Sequence, residues 1–118
     1  MIWQLTNQVH DYIAECGEEE ILVYFSAYES QDGVPVNLDD VAVKGKVIFR
    51  SLCDEFWGEG ESYHSPLLEN PTWLEVSYYA NCMIHTTGDK HHIFLEGIKS
   101  LSPESIGLAT VYEFSMGS

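Results

Sequence analysis

Apolar side chains recur at helical spacing close to the start of the chain. Four of them fall on one face of a helix: Val9, Tyr12, Ile13 and Cys16. Thr6 precedes this group as a candidate N-cap residue, and Gly17 follows it as a C-terminal stop signal. The pattern predicts a first helix over residues 7–16.

The next apolar segment is short and continuous. Residues 21–25 read Ile-Leu-Val-Tyr-Phe, and β-branched and aromatic side chains of this kind favour a strand. An unbroken apolar run is typical of a central strand that is covered on both faces. Residues 30–35 contain Asp, Gly and Pro, which are turn residues, so we expect the strand to end before them.

Residues 38–57 fit two patterns. The β-branched residues of 41–43 and 47–48 favour a strand. A helical stripe competes with them, formed by Leu38, Val41, Gly45, Ile48, Phe49, Leu52 and Phe56. Asn37 supplies an N-cap and Gly58 a stop signal, so the sequence predicts a helix here.

The second half of the chain has clearer start and stop signals. Residues 58–70 form the longest irregular connection, and Asn70-Pro71 then provides a cap followed by proline at the first helical position. The inner face of the helix that follows carries Trp73, Val76, Ala80, Met83, Ile84 and Thr87, and Gly88 ends it. Residues 90–99 and 108–115 are predicted to form a β-hairpin.

Together these elements predict an α+β fold with the order α-β-α-α-β-β. We expect residues 1–118 to form a single domain, because a chain of this length falls in the commonest size class for one core. The expected architecture is a two-layer sandwich, with three helices packed on a small and mainly antiparallel sheet.

The charge of the chain restricts its partners. Its net charge is −14 at pH 7, while 45% of its residues are hydrophobic, so the sequence predicts a folded acidic protein rather than a disordered one. Its cations are Lys44, Lys46, Arg50, Lys90 and Lys99. They are too few to neutralise a run of phosphates, which excludes nucleic acid and disfavours anionic membranes as partners. A basic protein would be attracted instead.

The acidic residues are concentrated in the first half of the chain. Residues 1–61 hold 13 acidic and 3 basic side chains, a net charge of −10, whereas residues 62–118 have a net charge of −4. An acidic face would therefore be built mainly by the first half. The alternative explanation is that the excess acid serves only solubility.

The cysteines and the N-terminus indicate a cytoplasmic location. Cys16, Cys53 and Cys82 are widely spaced and odd in number, so we expect reduced and mostly buried thiols rather than disulfides. The N-terminus lacks the basic and apolar regions of a signal peptide. Apolar runs also fall short of the roughly 20 residues that span a bilayer.

Residues of metal-binding type are densest between positions 85 and 96. They are His85, Asp89, His91, His92 and Glu96. On a strand, His91 and His92 point to opposite faces, and His92 lies about 13 Å from Glu96 at roughly 3.3 Å per residue. The three histidines are therefore only weak metal candidates, and no cofactor is predicted. His85 also has a structural explanation, because a histidine in the last turn interacts favourably with the helix dipole.

Six residues are the candidate binding residues. They are Glu59, Glu61, Tyr63 and His64 in the irregular connection, together with His92 and Glu96. Loops that contain glycine often carry binding groups, although the pattern of the first four favours a solvated loop over a site. Glu96 interrupts an apolar strand, so a carboxylate facing the covered side would need a partner, whereas an exposed one would need no explanation.

The sequence contains no motif for a named reaction. The GxSxG elbow and the phosphate-binding glycine loops are absent, and Cys82 is expected to be a buried thiol of low reactivity. Tyr78 and Tyr79 cannot both face inward, so at least one aromatic ring is expected at the surface. Aromatic rings surrounded by acid suit the recognition of a basic protein.

Three functions follow as hypotheses. The first is a small non-catalytic binding or regulatory protein, such as an inhibitor or immunity-like protein, that recognises a basic protein partner. The second is a small enzyme or metal-binding protein that uses His85, His91, His92 and Glu96. The third is a self-associating accessory subunit that forms a homodimer.

Overall fold

The computed structural model describes residues 2–26, 28–29, 34–52, 60–106 and 109–117, and of residues 2–4, 28–29, 34–35 and 102–106 it describes the backbone alone. Two helices lie within these ranges, α1 (Ile2–Glu15) and α2 (Trp73–Thr87). The described strands are β1 (Tyr24–Phe25), β2 (Tyr28–Glu29), β3 (Val34–Pro35), β4 (Lys46–Ser51), β5 (Tyr63–His64), β6 (Leu68–Glu69), β7 (Phe94–Ile106) and β8 (Ala109–Gly117).

The main sheet is mixed and has six strands. Its order is β1-β7-β8-β4-β5, with β6 also paired to β4, while β2 and β3 form a separate antiparallel pair. β1 runs parallel to β7 and β4 runs parallel to β8, whereas the other pairs of the sheet are antiparallel. The predicted α+β class is confirmed. The predicted three helices and the order α-β-α-α-β-β are wrong.

The largest error concerns residues 38–57, where the predicted helix is replaced by a loop and β4. In β4 the side chains of Val47 and Phe49 are buried, whereas Lys46, the first residue of the strand, is exposed. This two-residue alternation is typical of a sheet. Gly45 has φ 99°, which interrupts any helix before β4. The tertiary pairing of β4 with β8 therefore overrides the helical stripe. Residues 53–57 of the predicted helix lie outside the described residues.

The first helix begins earlier than predicted. It starts at Ile2, so Thr6 lies within α1 and is not its N-cap. The buried Thr6 hydroxyl accepts a hydrogen bond from the Phe25 N–H (3.2 Å) and donates one to the Phe25 carbonyl (3.3 Å). β1 is an edge strand that lies against α1, so the prediction of a central strand over residues 21–25 is also wrong.

The second helix follows its capping signals, although it begins two residues later than predicted. Thr72 is the N-cap, and it forms a capping box with Glu75, in which each side chain bonds the other residue's N–H. Asn70 instead has φ 48°, outside the helical range, and its side chain accepts from the Gly45 N–H. The predicted stop at Gly88 is confirmed, since its φ is 73° and its N–H donates to the Ile84 carbonyl.

The predicted β-hairpin is present and longer than expected. β7 and β8 pair in antiparallel fashion from Phe94 with Gly117 to Ile106 with Ala109. The register shifts between Ser100 and Ser105, which lets the strand pass through a serine- and proline-containing stretch that resembles a loop in sequence. β7 begins at Phe94, so His91 and His92 precede the strand in which they were predicted.

One core cluster joins the helices to the sheet. Its fully buried members include Val9 and Ile13 of α1, Val76, Ala80 and Ile84 of α2, and Phe25, Phe49 and Leu95 of the sheet. The rings of Phe49 and Phe114 stack in this core at a centroid distance of 4.8 Å. Among the described residues, neither helix has the length and apolar character that a membrane crossing requires.

A buried amide on α2 fixes the segment that leads into β1. Asn81 has no exposed surface. Its Oδ1 accepts hydrogen bonds from the N–H groups of Leu22 (2.7 Å) and Val23 (3.3 Å), and its Nδ2 donates to the carbonyl of Glu20 (3.2 Å). On this side residues 20–23 have no described strand beside them, and the Asn81 amide makes hydrogen bonds that such a strand would otherwise make.

We expect the substitution Asn81→Ala to lower the free energy of unfolding by about 2 kcal/mol, because it leaves three backbone groups without partners, of which the Val23 N–H is buried. Urea denaturation followed by circular dichroism measures the change. Asn7→Ala, at an exposed position of α1, is the matched control and is expected to change stability by less than about 0.5 kcal/mol. Similar losses for both variants would contradict the role given to Asn81.

Candidate functional site

A cleft with a volume of about 290 Å³ opens beside the C-terminal end of α2. Its lining comes from the end of β4, the end of α2 and the turn after it, and β8: Ser51, Leu52, Met83, Thr87, Asp89, His92, Glu113, Phe114 and Met116. Of the predicted binding residues that the structure describes, only His92 lines this cleft.

The end of α2 places the polar residues of the cleft. The buried Thr87 hydroxyl donates to the Met83 carbonyl (2.9 Å) and accepts from the Asp89 N–H (3.3 Å). Gly88 between them adopts the left-handed conformation that reverses the chain direction. Asp89 is thereby held directly beyond the last turn, with only 17% of its side chain exposed.

Asp89 and His92 form a hydrogen-bonded pair. The Asp89 Oδ2 atom lies 2.9 Å from Nδ1 of His92, while Oδ1 accepts from the His91 N–H at 3.1 Å. An ionised carboxylate only accepts hydrogen bonds, so Nδ1 of His92 carries a proton in this pair. The pair fixes the orientation of the imidazole at the wall of the cleft.

A second acidic residue, Glu113 of β8, is among the lining residues, and its carboxylate pairs with a lysine on the neighbouring strand. Its Oε1 atom is 2.8 Å from Nζ of Lys99, whose side chain is 65% exposed. The negative end of the α2 dipole adds to the field of Asp89 and Glu113. Leu52, Met83, Phe114 and Met116 supply the apolar part of the lining. The cleft thus combines polar residues with an apolar wall.

The irregular connection docks on the end of α2. The N–H groups of Gly60 and Glu61 donate to the carbonyls of Thr87 (3.0 Å) and Thr86 (2.8 Å), which the helix leaves without intrahelical partners. A Cβ atom at Gly60 would overlap the Thr86 carbonyl oxygen, so this approach requires glycine.

The predicted loop site is not assembled in the described residues. Glu59 lies outside them, Glu61 and His64 are exposed, and Tyr63 is buried in β5, where its backbone pairs with Ser51. Burial is the main cause that raises the pKa of Tyr63, which marks a neutral core tyrosine. Tyr63 is therefore a core residue, whereas Glu61 and His64 lie at the surface.

The histidine-rich segment is also dispersed. The ring of His85 donates from Nε2 to the Glu20 carbonyl (2.7 Å), His91 is exposed in a turn, and Glu96 is exposed on β7. Within the residues that the structure describes, no group of three His, Cys, Asp or Glu side chains is placed to hold a metal ion. The prediction that His91 and His92 lie on a strand is wrong, because the chain turns before β7.

Three tyrosines lie partly exposed on the helices, and we call Tyr12, Tyr78 and Tyr79 the tyrosine surface. The rings of Tyr78 and Tyr79 meet edge to face at 5.0 Å. The Tyr78 hydroxyl donates weakly to Oε1 of Glu18 at 3.5 Å. The repulsion of a Cys82 thiolate, followed by burial, raises the pKa of Tyr78 to about 12. Burial is the main cause that raises the pKa values of Tyr12 and Tyr79.

The two described cysteines lie beside these tyrosines and differ in exposure. Burial raises the pKa of Cys82, as expected for an unreactive thiol, and the nearby Glu18 carboxylate adds to the effect. Cys16 is exposed, contrary to the expectation of mostly buried thiols, and both are unbridged. Cys53 lies outside the described residues.

Two carboxylates lie close to the tyrosine surface, that of Glu18 near Tyr78 and that of Glu75 near Tyr12 and Tyr79. Asp11, Glu15 and Glu19 are exposed on α1 and in the turn after it. Among the described residues, the carboxylates of Glu20, Asp89 and Glu113 pair with a histidine or lysine, whereas Asp11, Glu15 and Glu19 do not. These three carboxylates near α1 thus have no cationic partner in the part of the chain that the structure describes.

Comparison of the chain with models of known protein families, with curated proteins and with solved structures gives no match in any of the three. The site therefore has to be interpreted from its own geometry. Sequence reasoning missed Ser51, Glu113, Phe114 and Met116, because long-range strand pairing brings them to the cleft. The signal that was available is the Asp89-x-x-His92 spacing after a helix stop.

Replacing Gly60 by alanine tests the docking of the connection on α2. We expect Gly60→Ala to destabilise the protein by about 2 kcal/mol, because the new methyl group meets a backbone carbonyl. Hydrogen exchange at the Glu61 amide should become faster. Gly97→Ala is the control, since a Cβ there has no atom within 4 Å. An unchanged exchange rate in Gly60→Ala would exclude the docking described here.

The titration of Tyr78 gives a stability change at high pH. A phenol with a normal pKa of 10.0 loses its proton first in the unfolded chain, so the part of the stability that Tyr78 contributes should fall as the pH rises from 10 and be lost above a pH of about 12. Urea unfolding at several pH values measures this. Cys82→Ser should lower the pKa of Tyr78 in an absorbance titration at alkaline pH, whereas no change would argue against the thiolate as its main cause.

Proposed function

We propose that this protein is a non-catalytic binding protein that recognises a basic protein partner through the tyrosine surface and the acidic residues beside it. The observation that carries the proposal is that α1 and the turn after it carry exposed carboxylates without a described cation partner, on the helix that holds Tyr12 and in the turn whose Glu18 bonds to Tyr78. Long-range attraction by the net charge of −14 would raise the rate of encounter with such a partner.

The acidic residues around the end of α1 do not serve the stability of that helix. Glu15 occupies the last turn and residues 18–20 follow it, while no basic residue lies in that turn. Negative charges at a helix C-terminus oppose the helix dipole and are unfavourable. Only Glu20 in this group pairs with a described cation-forming side chain, His85. A partner that supplies positive charge would offset this cost.

The tyrosines suit the same kind of partner. Tyrosine phenols are protonated at neutral pH, so each hydroxyl can donate a hydrogen bond. Aromatic faces bind arginine and lysine through cation–π contacts, and tyrosine is a frequent anchor at protein interfaces. The surface therefore offers both aromatic contact area and negative charge to a basic protein.

Affinity capture with matched variants tests the proposal. We expect the immobilised wild-type protein to retain a basic protein at low salt and to release it at about 0.5 M salt, where charge interactions are screened. The double variant Glu15→Gln/Glu19→Gln should lower the affinity for that purified protein by about tenfold. Glu61→Gln/Glu69→Gln removes the same charge from exposed positions on other parts of the chain and should have a much smaller effect.

Stability measurements separate lost recognition from lost folding. The Glu15→Gln/Glu19→Gln variant is expected to be as stable as the wild type or more stable by about 0.3–1 kcal/mol per charge, because it relieves the repulsion at the end of α1. Equal losses of affinity in both double variants would contradict the proposal, because they would show that binding depends on the net charge and not on the acidic residues near α1. Capture of only a second copy of this chain would favour self-association and overturn the proposal.

A further inference from the structure

We propose that the outer face of the main sheet, the face turned away from α1 and α2, is an interface through which two copies of this chain form a dimer. The helices that carry the tyrosine surface pack on the other face, so this inference does not depend on the basic partner. Its support comes from the strand registers, from the charge of the outer face and from the open space above Gly97.

The strand registers determine which side chains lie on the outer face. Phe49 of β4, Leu95 of β7 and Phe114 of β8 belong to the core that the helices cover. Successive side chains of a strand point to opposite faces, so the neighbours of these residues lie on the outer face. The register agrees, since Lys99 lies opposite Glu113.

Two further carboxylates belong to the same face. Glu69 lies opposite Lys46 in the pairing of β6 with β4, and both side chains are exposed. Glu96 occupies a register shift in β7, and its Oε2 atom would lie 2.6 Å from a Cβ atom placed on Gly117. Gly117 is the register partner of Phe94 on the outer face, so the Glu96 carboxylate lies over that face.

The outer face is electrically balanced, whereas the chain as a whole is strongly acidic. Among the described residues it carries three cations and three carboxylates: Lys46, Arg50, Lys99, Glu69, Glu96 and Glu113. The net charge of −14 therefore belongs to the rest of the chain.

This balance favours a second copy as the occupant of the face. A large net charge keeps the copies of a protein apart, and the repulsion is weakest where the local charges cancel. A two-fold axis brings the same face of both copies together, so cations of one copy can lie beside carboxylates of the other. A basic protein would gain no net attraction from a neutral face.

The shape and the apolar content of the face also suit contact between sheets. The rings of Tyr24 and Phe94 stack at a centroid distance of 5.3 Å and are partly exposed, as is Ile48. Gly97 lies between Phe94 and Lys99 along β7, and a Cβ atom there would have no atom within 4 Å. Packed sheets interdigitate side chains at a separation of about 10 Å, so the space above Gly97 can receive a side chain of the second copy.

Sedimentation equilibrium of the whole chain tests the proposal. We expect the weight-average mass to rise from that of a monomer towards that of a dimer as the concentration increases from about 10 μM to about 1 mM at about 0.15 M salt. Circular dichroism of each variant below reports whether it is folded.

A matched pair of variants locates the interface by charge. Lys99→Glu makes the outer face acidic and should weaken dimerisation by at least about tenfold, while an ion pair this exposed contributes little to the fold. Lys90→Glu makes the same change of net charge at an exposed position in the turn before β7, and should change the affinity by less than about threefold.

A third variant locates the interface by shape. Gly97→Gln adds an uncharged side chain that has room in the monomer and occupies the space intended for the second copy. It should also weaken dimerisation by at least about tenfold.

Three results would overturn the proposal. The first is a wild-type protein that stays monomeric up to about 1 mM. The second is equal weakening by Lys90→Glu and Lys99→Glu, which would make the overall charge the cause. The third is unchanged dimerisation in folded Gly97→Gln, which would place the contact on another surface. If Gly97→Gln does not fold, the comparison of the two lysine variants decides alone.

Discussion

The amide of Asn81 is the interaction on which the arrangement of both helices depends. A helix side chain here supplies the hydrogen bonds that a neighbouring strand supplies elsewhere, and it does so for three backbone groups of residues 20–23. This fixes the entry into β1 against α2. Thr6 then bonds to Phe25, which places α1 beside the same strand. Each helix, and with it the tyrosine surface, is thus held to the segment of residues 20–25 by a buried polar side chain, Asn81 on α2 and Thr6 on α1.

The parts of the fold that sequence could predict are those governed by local signals. α2 has apolar periodicity and a left-handed glycine at its end, and the β7–β8 hairpin pairs segments close in sequence. Residues 38–57 fit a helix and a strand equally well by pattern. The segment forms a strand because Val47 pairs in parallel with Thr110, which lies more than 60 residues away in the sequence. No local pattern contains that contact.

The same distinction applies to the site. His92 was identified by residue type, and its partner Asp89 lies three positions away, so the pair is within reach of sequence reasoning. Glu113 and Met116 enter the cleft only through the register of β8 against its neighbours. Tyr63 was misjudged as a loop residue because its two-residue strand is too short to produce an alternating pattern.

The edge position of β1 has a consequence for behaviour in concentrated solution. An edge strand normally presents unpaired backbone groups that can template the addition of strands from other molecules. Here the outward groups of residues 22–25 are occupied by Asn81, by Thr6, and by His10, whose ring donates to the Val23 carbonyl at 2.7 Å. Helix side chains therefore close this edge against intermolecular sheet growth, and they protect a strongly apolar sequence from aggregation by that route.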